Sequence, residues 1–181
     1  MYQVLRFPSG ARYEGEMKDG CFNGRGRYVF PNLSFYEGEF VDDEMHGRGT
    51  LHFRDGSVYE GEFVDDEMHG QGTLRFRDGS VYEGEFRHDQ MSGQGTYRFR
   101  DGAGSYVGQF ELDEFHGYGE RTYSSGHVHR GQWQRGMKHG EGTFLLVTGS
   151  SENVLQKGTW HENSFVKPGR EPVRAAADTK E

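Results

Sequence analysis

The stretch YEGEFVDDEMHGQGTLRFRDGSV, residues 59–81, decides the fold because it recurs along the chain. Residues 36–58 read YEGEFVDDEMHGRGTLHFRDGSV and differ from it at only two positions. The same pattern begins again at Tyr13, Tyr82, Tyr106 and His129, and in degenerate form at Gln156. A period of about 23 residues is typical of repeat proteins, in which each unit is one supersecondary element.

Each unit contains two strand signals separated by turn signals. In residues 59–63 aromatic or glycine residues alternate with glutamates, and residues 70–76 alternate again; a period of two is typical of a strand. The polar residues 64–69 are predicted to form a loop, and the dipeptide Asp78-Gly79 predicts a tight turn. Strand, loop, strand and turn in succession predict an antiparallel meander.

The predicted fold class is all-β: an elongated, twisted, single-layer antiparallel meander of stacked β-hairpins, with about 14 strands and a disordered C-terminal tail. Only 32% of the residues are hydrophobic, but 14% are aromatic and 29 are glycine. This composition favours many short strands and tight turns over one globular core. Each unit is expected to contact mainly its neighbours.

The period also predicts the organisation of the chain. Residues 1–12 are interpreted as a leading half-repeat, residues 156–166 as a degenerate terminal half-repeat, and residues 167–181 as a disordered tail with a short helix at 171–177. The predicted repeats are 13–35, 36–58, 59–81, 82–105, 106–128 and 129–155.

Charge and cysteine content narrow the function classes. The formal net charge is −8, and residues 36–120 hold 20 Asp/Glu against 7 Lys/Arg. This acidic balance argues against nucleic acid as a partner, because binding phosphates needs a basic surface. Cys21 is the only cysteine, which indicates a reducing compartment. No signal peptide or membrane-spanning run is evident in the sequence. We therefore expect a cytoplasmic location.

The pattern Y-x-G-x-F/W, then H-G-x-G, then D/S-G resembles the MORN (membrane occupation and recognition nexus) repeat over about residues 2–166. Asn32, Ser92 and His129 depart from it. The resemblance implies an extended, twisted hairpin sheet. It also implies a scaffold at membranes, the cytoskeleton, cilia or flagella, or an adaptor for partner peptides such as myosin tails.

The aromatic residues of the first strands are the candidate binding site. A sheet one layer thick cannot cover its whole apolar face unless it curls, forms a homodimer or takes a partner, and large open apolar patches usually mark interaction sites. The alternative is that these rings form the core and nothing more. The candidate groove comprises Tyr36, Phe40, Tyr59, Phe63, Tyr82, Phe86, Tyr106, Phe110 and Trp133.

An acidic belt follows the first strands, at Asp42, Asp43, Glu44, Asp65, Asp66 and Glu67. It is interpreted either as a solvated edge of the sheet or as an acidic surface that attracts a basic partner electrostatically. The spacing of calcium-binding loops is absent.

Four histidines precede the second-strand glycines: His46, His69, His116 and His139. Neighbours in this column would lie about 10 Å apart, which is too far for them to share a metal ion.

No constellation with catalytic spacing, metal-site pattern or cofactor motif is present, so we expect neither an enzyme nor a cofactor. The leading hypothesis is a non-catalytic scaffold that holds a basic or amphipathic partner segment along the aromatic groove. The alternative is a membrane-associated linker that binds anionic phospholipids through its basic-leaning ends, although the acidic middle disfavours it.

Overall fold

The computed structural model describes residues 1–166, and these form one sheet of 15 strands in sequence order. No α-helix occurs in this part of the chain; its one helical element is the 3-10 turn Arg100–Gly102. The strands are β1 (Tyr2–Arg6), β2 (Arg12–Lys18), β3 (Cys21–Val29), β4 (Phe35–Val41), β5 (Glu44–His52), β6 (Val58–Val64), β7 (Glu67–Arg75), β8 (Val81–Arg87), β9 (Gln90–Arg98), β10 (Gly104–Glu111), β11 (Glu114–Tyr123), β12 (His127–Gln134), β13 (Met137–Thr148), β14 (Ser151–His161) and β15 (Ser164–Phe165).

The predicted all-β, single-layer antiparallel meander is confirmed. The sheet has 15 strands rather than about 14, because the chain after β14 turns back once more at Ser164–Phe165. The predicted tail at 167–181 and its helix at 171–177 lie outside the described residues. In residues 1–166 no helix has the length and apolar character needed to cross a membrane.

The predicted loop at 64–69 is wrong. It is a two-residue turn, since β6 ends at Val64 and β7 begins at Glu67. Asp65 and Asp66 have φ values of 50° and 69°, and positive φ at both central residues is the geometry of a type I′ hairpin turn. Aspartate tolerates this left-handed region better than most residues. Met68 therefore belongs to a strand.

The two strands of a hairpin differ in length because the second contains a bulge. Gly61 pairs with Gly72, but the next residue, Glu62, pairs with His69, so Gly70 and Gln71 have no partner on β6. Gly70 takes a φ of 57°, a conformation that glycine adopts without steric cost. The Glu62 carboxylate accepts a hydrogen bond from the Gln71 amide at 3.2 Å, which caps the bulge.

The core is a column of tyrosine rings lying on paired glycines. Tyr59 is fully buried, and a Cβ added to Gly61 or Gly72 would overlap its ring or hydroxyl. The Tyr59 hydroxyl donates to the backbone carbonyl oxygens of Glu62 at 2.9 Å and His69 at 3.2 Å. The glycines are therefore required because the ring occupies the space of their side chains.

Successive units are joined through these rings. Tyr59 packs edge-on against Phe63 of its own unit at 5.2 Å and against Phe86 of the next unit at 4.8 Å between centroids. Tyr36 repeats this contact with Phe63 at 4.9 Å. Edge-to-face aromatic pairs of this kind contribute about 0.5–1.5 kcal/mol beyond their buried area. Each tyrosine thus stabilises the interface to the following unit.

Candidate functional site

The rings named for the aromatic groove are buried in this structure. Each of them is at most 5% exposed, and the four tyrosines are completely covered. Burial raises the pKa of these tyrosine hydroxyls, and it raises that of Tyr13 to about 12. They form the floor of the apolar face rather than its exposed surface. Contact between a partner and this floor stays a prediction.

The exposed part of the apolar face comes from the second strands and the residues that follow them. These side chains pack against the buried core but remain partly open to solvent. The ring centroid of Phe76 lies 5.7 Å from that of Tyr97 in the next unit, and the Tyr97 centroid lies 4.8 Å from that of Phe99. We call this set the open stripe: Tyr28, Phe30, Leu51, Phe53, Leu74, Phe76, Tyr97 and Phe99.

The second aspartate of each turn in the acidic belt connects neighbouring hairpins. Asp66 Oδ1 accepts a hydrogen bond from the Met45 amide at 2.8 Å, and the Asp66 amide donates to the Met45 carbonyl oxygen at 3.1 Å. Asp43 makes the same pair of bonds with Phe22, at 2.7 and 3.1 Å. At the end of the sheet Asn163 does this with Lys138. We call this interaction the turn clamp.

The remaining acidic residues of the belt face solvent or pair with histidines. Asp42 and Glu44 are exposed, Asp65 lies 3.8 Å from His46, and Glu67 lies 2.7 Å from His88. Within residues 1–166, no three His, Cys, Asp or Glu side chains are grouped so that they could hold a metal ion. The belt therefore combines structural clamps with a solvated acidic edge.

The opposite face of the sheet is a polar trough of about 1410 Å³ whose floor is the column of paired glycines. Its walls carry charged and polar side chains, including Arg48, Glu60, Gln71 and Thr73. Ion pairs join neighbouring strands on this face: Arg27 Nε lies 3.3 Å from Glu37 Oε1, and Arg98 Nη1 lies 2.7 Å from Glu83 Oε2. The sheet thus has one apolar and one polar face, as the alternating pattern indicates.

The unit beginning at His129 departs from the others in its core. His129 occupies the tyrosine position and is fully buried, and neither ring nitrogen has a hydrogen-bond partner. Its ring packs between Trp133 at 5.3 Å and Trp160 at 5.0 Å. Burial is the main cause, and the nearby Lys138 ammonium the smaller one, of a pKa of His129 that is lowered to about 4. The neutral imidazole is therefore the form that fits this core.

Two features of the site were not identified from the sequence. The open stripe residues do show a period of two, but this pattern does not reveal which rings a neighbouring unit covers. The turn clamp joins Asp66 to Met45, residues 21 apart, and no local motif marks such a bond. The 23-residue period was the available signal, since it places each turn beside the turn of the next unit.

The fold and its two faces define an elongated β-repeat protein in which each hairpin packs on the next. The MORN repeat model matches residues 13–34, 36–58, 59–81, 82–104, 106–128 and 129–151, and the chain therefore belongs to the MORN-repeat family. A search of curated proteins returned no match.

Among solved structures, the chain is similar to the SAS-4 (dCPAP) TCP domain in complex with a proline-rich motif of Ana2 (dSTIL) of Drosophila melanogaster. The identity is 11%, the match covers 86% of this chain and 90% of that chain, and the TM-score is 0.48. The wild-type TCP10 domain of Danio rerio CPAP in complex with a peptide of Danio rerio STIL is 15% identical, with coverages of 88% and 94% and a TM-score of 0.22. Both TM-scores are below 0.5, and neither likeness is evidence for the function of this chain.

Proposed function

We propose that the chain is a non-catalytic scaffold that holds an extended partner segment along the open stripe. One observation carries this proposal: partly exposed apolar side chains line one face over four successive units, from Tyr28 to Phe99. In residues 1–166 no second layer covers this face, because all the strands belong to one sheet. Contiguous apolar surface of this kind favours protein contact.

The acidic belt supports a partner segment that is basic as well as apolar. It borders the aromatic face, and the middle of the chain carries a large excess of carboxylates over basic groups. Electrostatic complementarity mainly increases the association rate and the specificity of binding. Membership of the MORN family favours an assembly of cytoskeletal, ciliary or membrane-apposed type, in which the chain acts as an adaptor.

The experiment that tests this function compares the two faces of the same units. A photo-reactive amino acid is placed at Phe53 or Phe76 on the open stripe, and separately at Arg48 or Gln71 in the polar trough. Crosslinked partners are identified by mass spectrometry in cells. We expect the same partner segment to be captured repeatedly from the stripe positions and not from the trough positions.

Paired substitutions test the same point by affinity. We expect Phe53→Ser with Phe76→Ser to weaken binding of the crosslinked segment about tenfold or more, because two anchors of an apolar contact are removed. Arg48→Ser with Gln71→Ser, on the opposite face of the same two units, serves as the matched control. Equal losses from both pairs, with both variants folded by circular dichroism, would overturn the assignment of the stripe as the binding surface.

A further inference from the structure

We propose that a pocket between the first and second hairpin units, bordered also by Asp66 of the third unit, binds an arginine side chain of the partner segment. This inference rests on the proposed scaffold function, since the arginine belongs to the segment held along the stripe. The pocket has a volume of about 320 Å³, which is enough for one long side chain. Phe40 and Met45, both buried, contribute to its lining.

Three aromatic side chains of the first unit form the walls of this pocket. Phe22 lies 6.0 Å from Tyr28 between ring centroids, and Tyr28 lies 4.8 Å from Phe30. The second unit has Met45 and Leu51 where the first has Phe22 and Tyr28. The first unit therefore offers three partly exposed rings where the second has one. Ring faces attract cations placed within about 6 Å of their centroids.

Two carboxylates give the pocket its charge. Asp43 and Asp66 line it and are both exposed. Their turn clamps use Oδ1 of each side chain, at 2.7 Å from the Phe22 amide and 2.8 Å from the Met45 amide. Among the described residues neither carboxylate has a Lys, Arg or His ion-pair partner. An apolar pocket bordered by two such carboxylates is complementary to a cation on an aliphatic stem.

Arginine fits this combination better than lysine does. Its planar guanidinium stacks on aromatic faces, bonds to two carboxylate oxygens at once and is always charged, while its methylene stem covers apolar surface. The chain itself provides an example on the same face: the Arg121 guanidinium lies 3.7 Å from the ring centre of Phe99. Phe99 occupies the repeat position that Phe30 occupies beside the pocket.

The test is a titration of the full chain in which the chemical shifts of the aromatic rings are monitored by nuclear magnetic resonance. The probe is Nα-acetyl-arginine amide, added to about 50 mM. Nα-acetyl-citrulline amide, which has nearly the same shape but no charge, is the comparison. We expect saturable shifts at the rings of Phe22, Tyr28 and Phe30 with the arginine probe, and none with the citrulline probe at the same concentration.

Matched variants separate the charge from the clamp. Asp43→Asn with Asp66→Asn keeps the Oδ1 acceptors, and Asn163 already makes a turn clamp in this chain, so the hairpins remain joined. We expect about fivefold weaker binding of the arginine probe, because two partly exposed charge partners are removed. Asp89→Asn with Asp113→Asn makes the same change at clamps on Met68 and Met91, and should leave binding unchanged.

The proposal is overturned if the three rings show no saturable shift with the arginine probe. It is also overturned if the citrulline probe binds equally well, or if the Asp89/Asp113 variant weakens binding as much as the Asp43/Asp66 variant. Each of these outcomes leaves the stripe crosslinking untouched, so failure of the pocket is distinguishable from failure of the scaffold. Loss of crosslinking with intact arginine binding would remove the scaffold function and leave the pocket.

Discussion

The fit of tyrosine on glycine determines the structure of each unit at the scale of single residues. The Tyr59 ring lies where side chains of Gly61 and Gly72 would otherwise be, and its hydroxyl reaches two backbone carbonyl oxygens beside the bulge. The ring therefore buries apolar surface and satisfies polar groups at the same position. A buried hydroxyl without such partners would cost about 1–3 kcal/mol.

Tyr59→Phe isolates the contribution of the hydroxyl from that of the ring. We expect it to lower the free energy of unfolding by about 1 kcal/mol, because the ring packing is kept while the hydrogen bonds to the Glu62 and His69 carbonyl oxygens are lost. Urea denaturation followed by circular dichroism measures the change. Tyr118→Phe is the control, since Tyr118 is 63% exposed. A loss at Tyr118 as large as that at Tyr59 would contradict this account.

At the scale of the strand and the turn, periodicity predicted the strands but not their ends. The alternation of Tyr59, Gly61 and Phe63 with glutamates gave the correct faces, because side chains of a strand point to opposite sides in turn. The sequence predicts a longer loop around Asp65-Asp66, because the usual turn glycine is absent there. The turn is held to Met45 of the preceding unit by the clamp, which is a tertiary contact.

The candidate site was only partly predictable for the same reason. The sequence indicated an aromatic face, but not which rings the next unit would cover. Tyr59 is buried because Phe86 of the following hairpin packs against it, whereas Phe76 follows the end of β7 and stays partly open. Exposure on this face is therefore set by how the units stack, which a single-unit pattern does not contain.

The unit that begins at β12 should be the pH-sensitive element of the ladder. Burial lowers the pKa of His129 to about 4 in the folded chain, from an ordinary value of 6.5. The folded state thus disfavours protonation. The stability that the neutral His129 side chain contributes is fully present above pH 6.5 and is lost as the pH falls from 6.5 towards 4. Trp133 and Trp160, the two tryptophans of the chain, both contact this ring.

Unfolding followed by tryptophan fluorescence at pH 7.5 and 4.5 measures this effect locally. We expect His129→Tyr to be the more stable form, with its advantage about 2 kcal/mol larger at pH 4.5 than at pH 7.5. The tyrosine hydroxyl would stand near the carbonyl oxygens of Gln132 and His139, as Tyr106 stands near those of Gln109 and His116. An advantage that does not change with pH would show that His129 does not titrate as described.

At the scale of the whole molecule, the sheet is joined along both of its rims. The turn clamps join one rim. On the other rim, Ser57 Oγ accepts a hydrogen bond from the Arg77 amide at 3.1 Å, and Ser80 Oγ accepts one from the Arg100 amide at 3.2 Å. These bonds connect each unit to the next, so the ladder is stabilised mainly by nearest-neighbour interfaces. A partner that spans several units would add contacts between units that the sheet itself lacks.

The distribution of charge argues against the anionic-lipid alternative at this scale. Residues 36–120 carry a strong acidic excess, and several basic groups near the ends are already engaged. Arg27 pairs with Glu37, Arg130 pairs with Glu120 and Glu152, and the Lys138 ammonium lies 4.3 Å from the Trp160 ring centre. Electrostatic attraction to anionic membranes needs clusters of free basic residues close together.

We therefore expect the chain to remain in the bottom fraction when it is floated with phosphatidylcholine vesicles, with or without phosphatidylserine. The acidic middle is repelled by phosphatidylserine, and the repulsion should be strongest at low ionic strength, where screening is weak. Flotation that requires phosphatidylserine and disappears in high salt would instead support the lipid-binding linker. Flotation with both kinds of vesicle that the Phe53→Ser, Phe76→Ser variant abolishes would mean that the open stripe binds lipid, since apolar contact does not depend on headgroup charge.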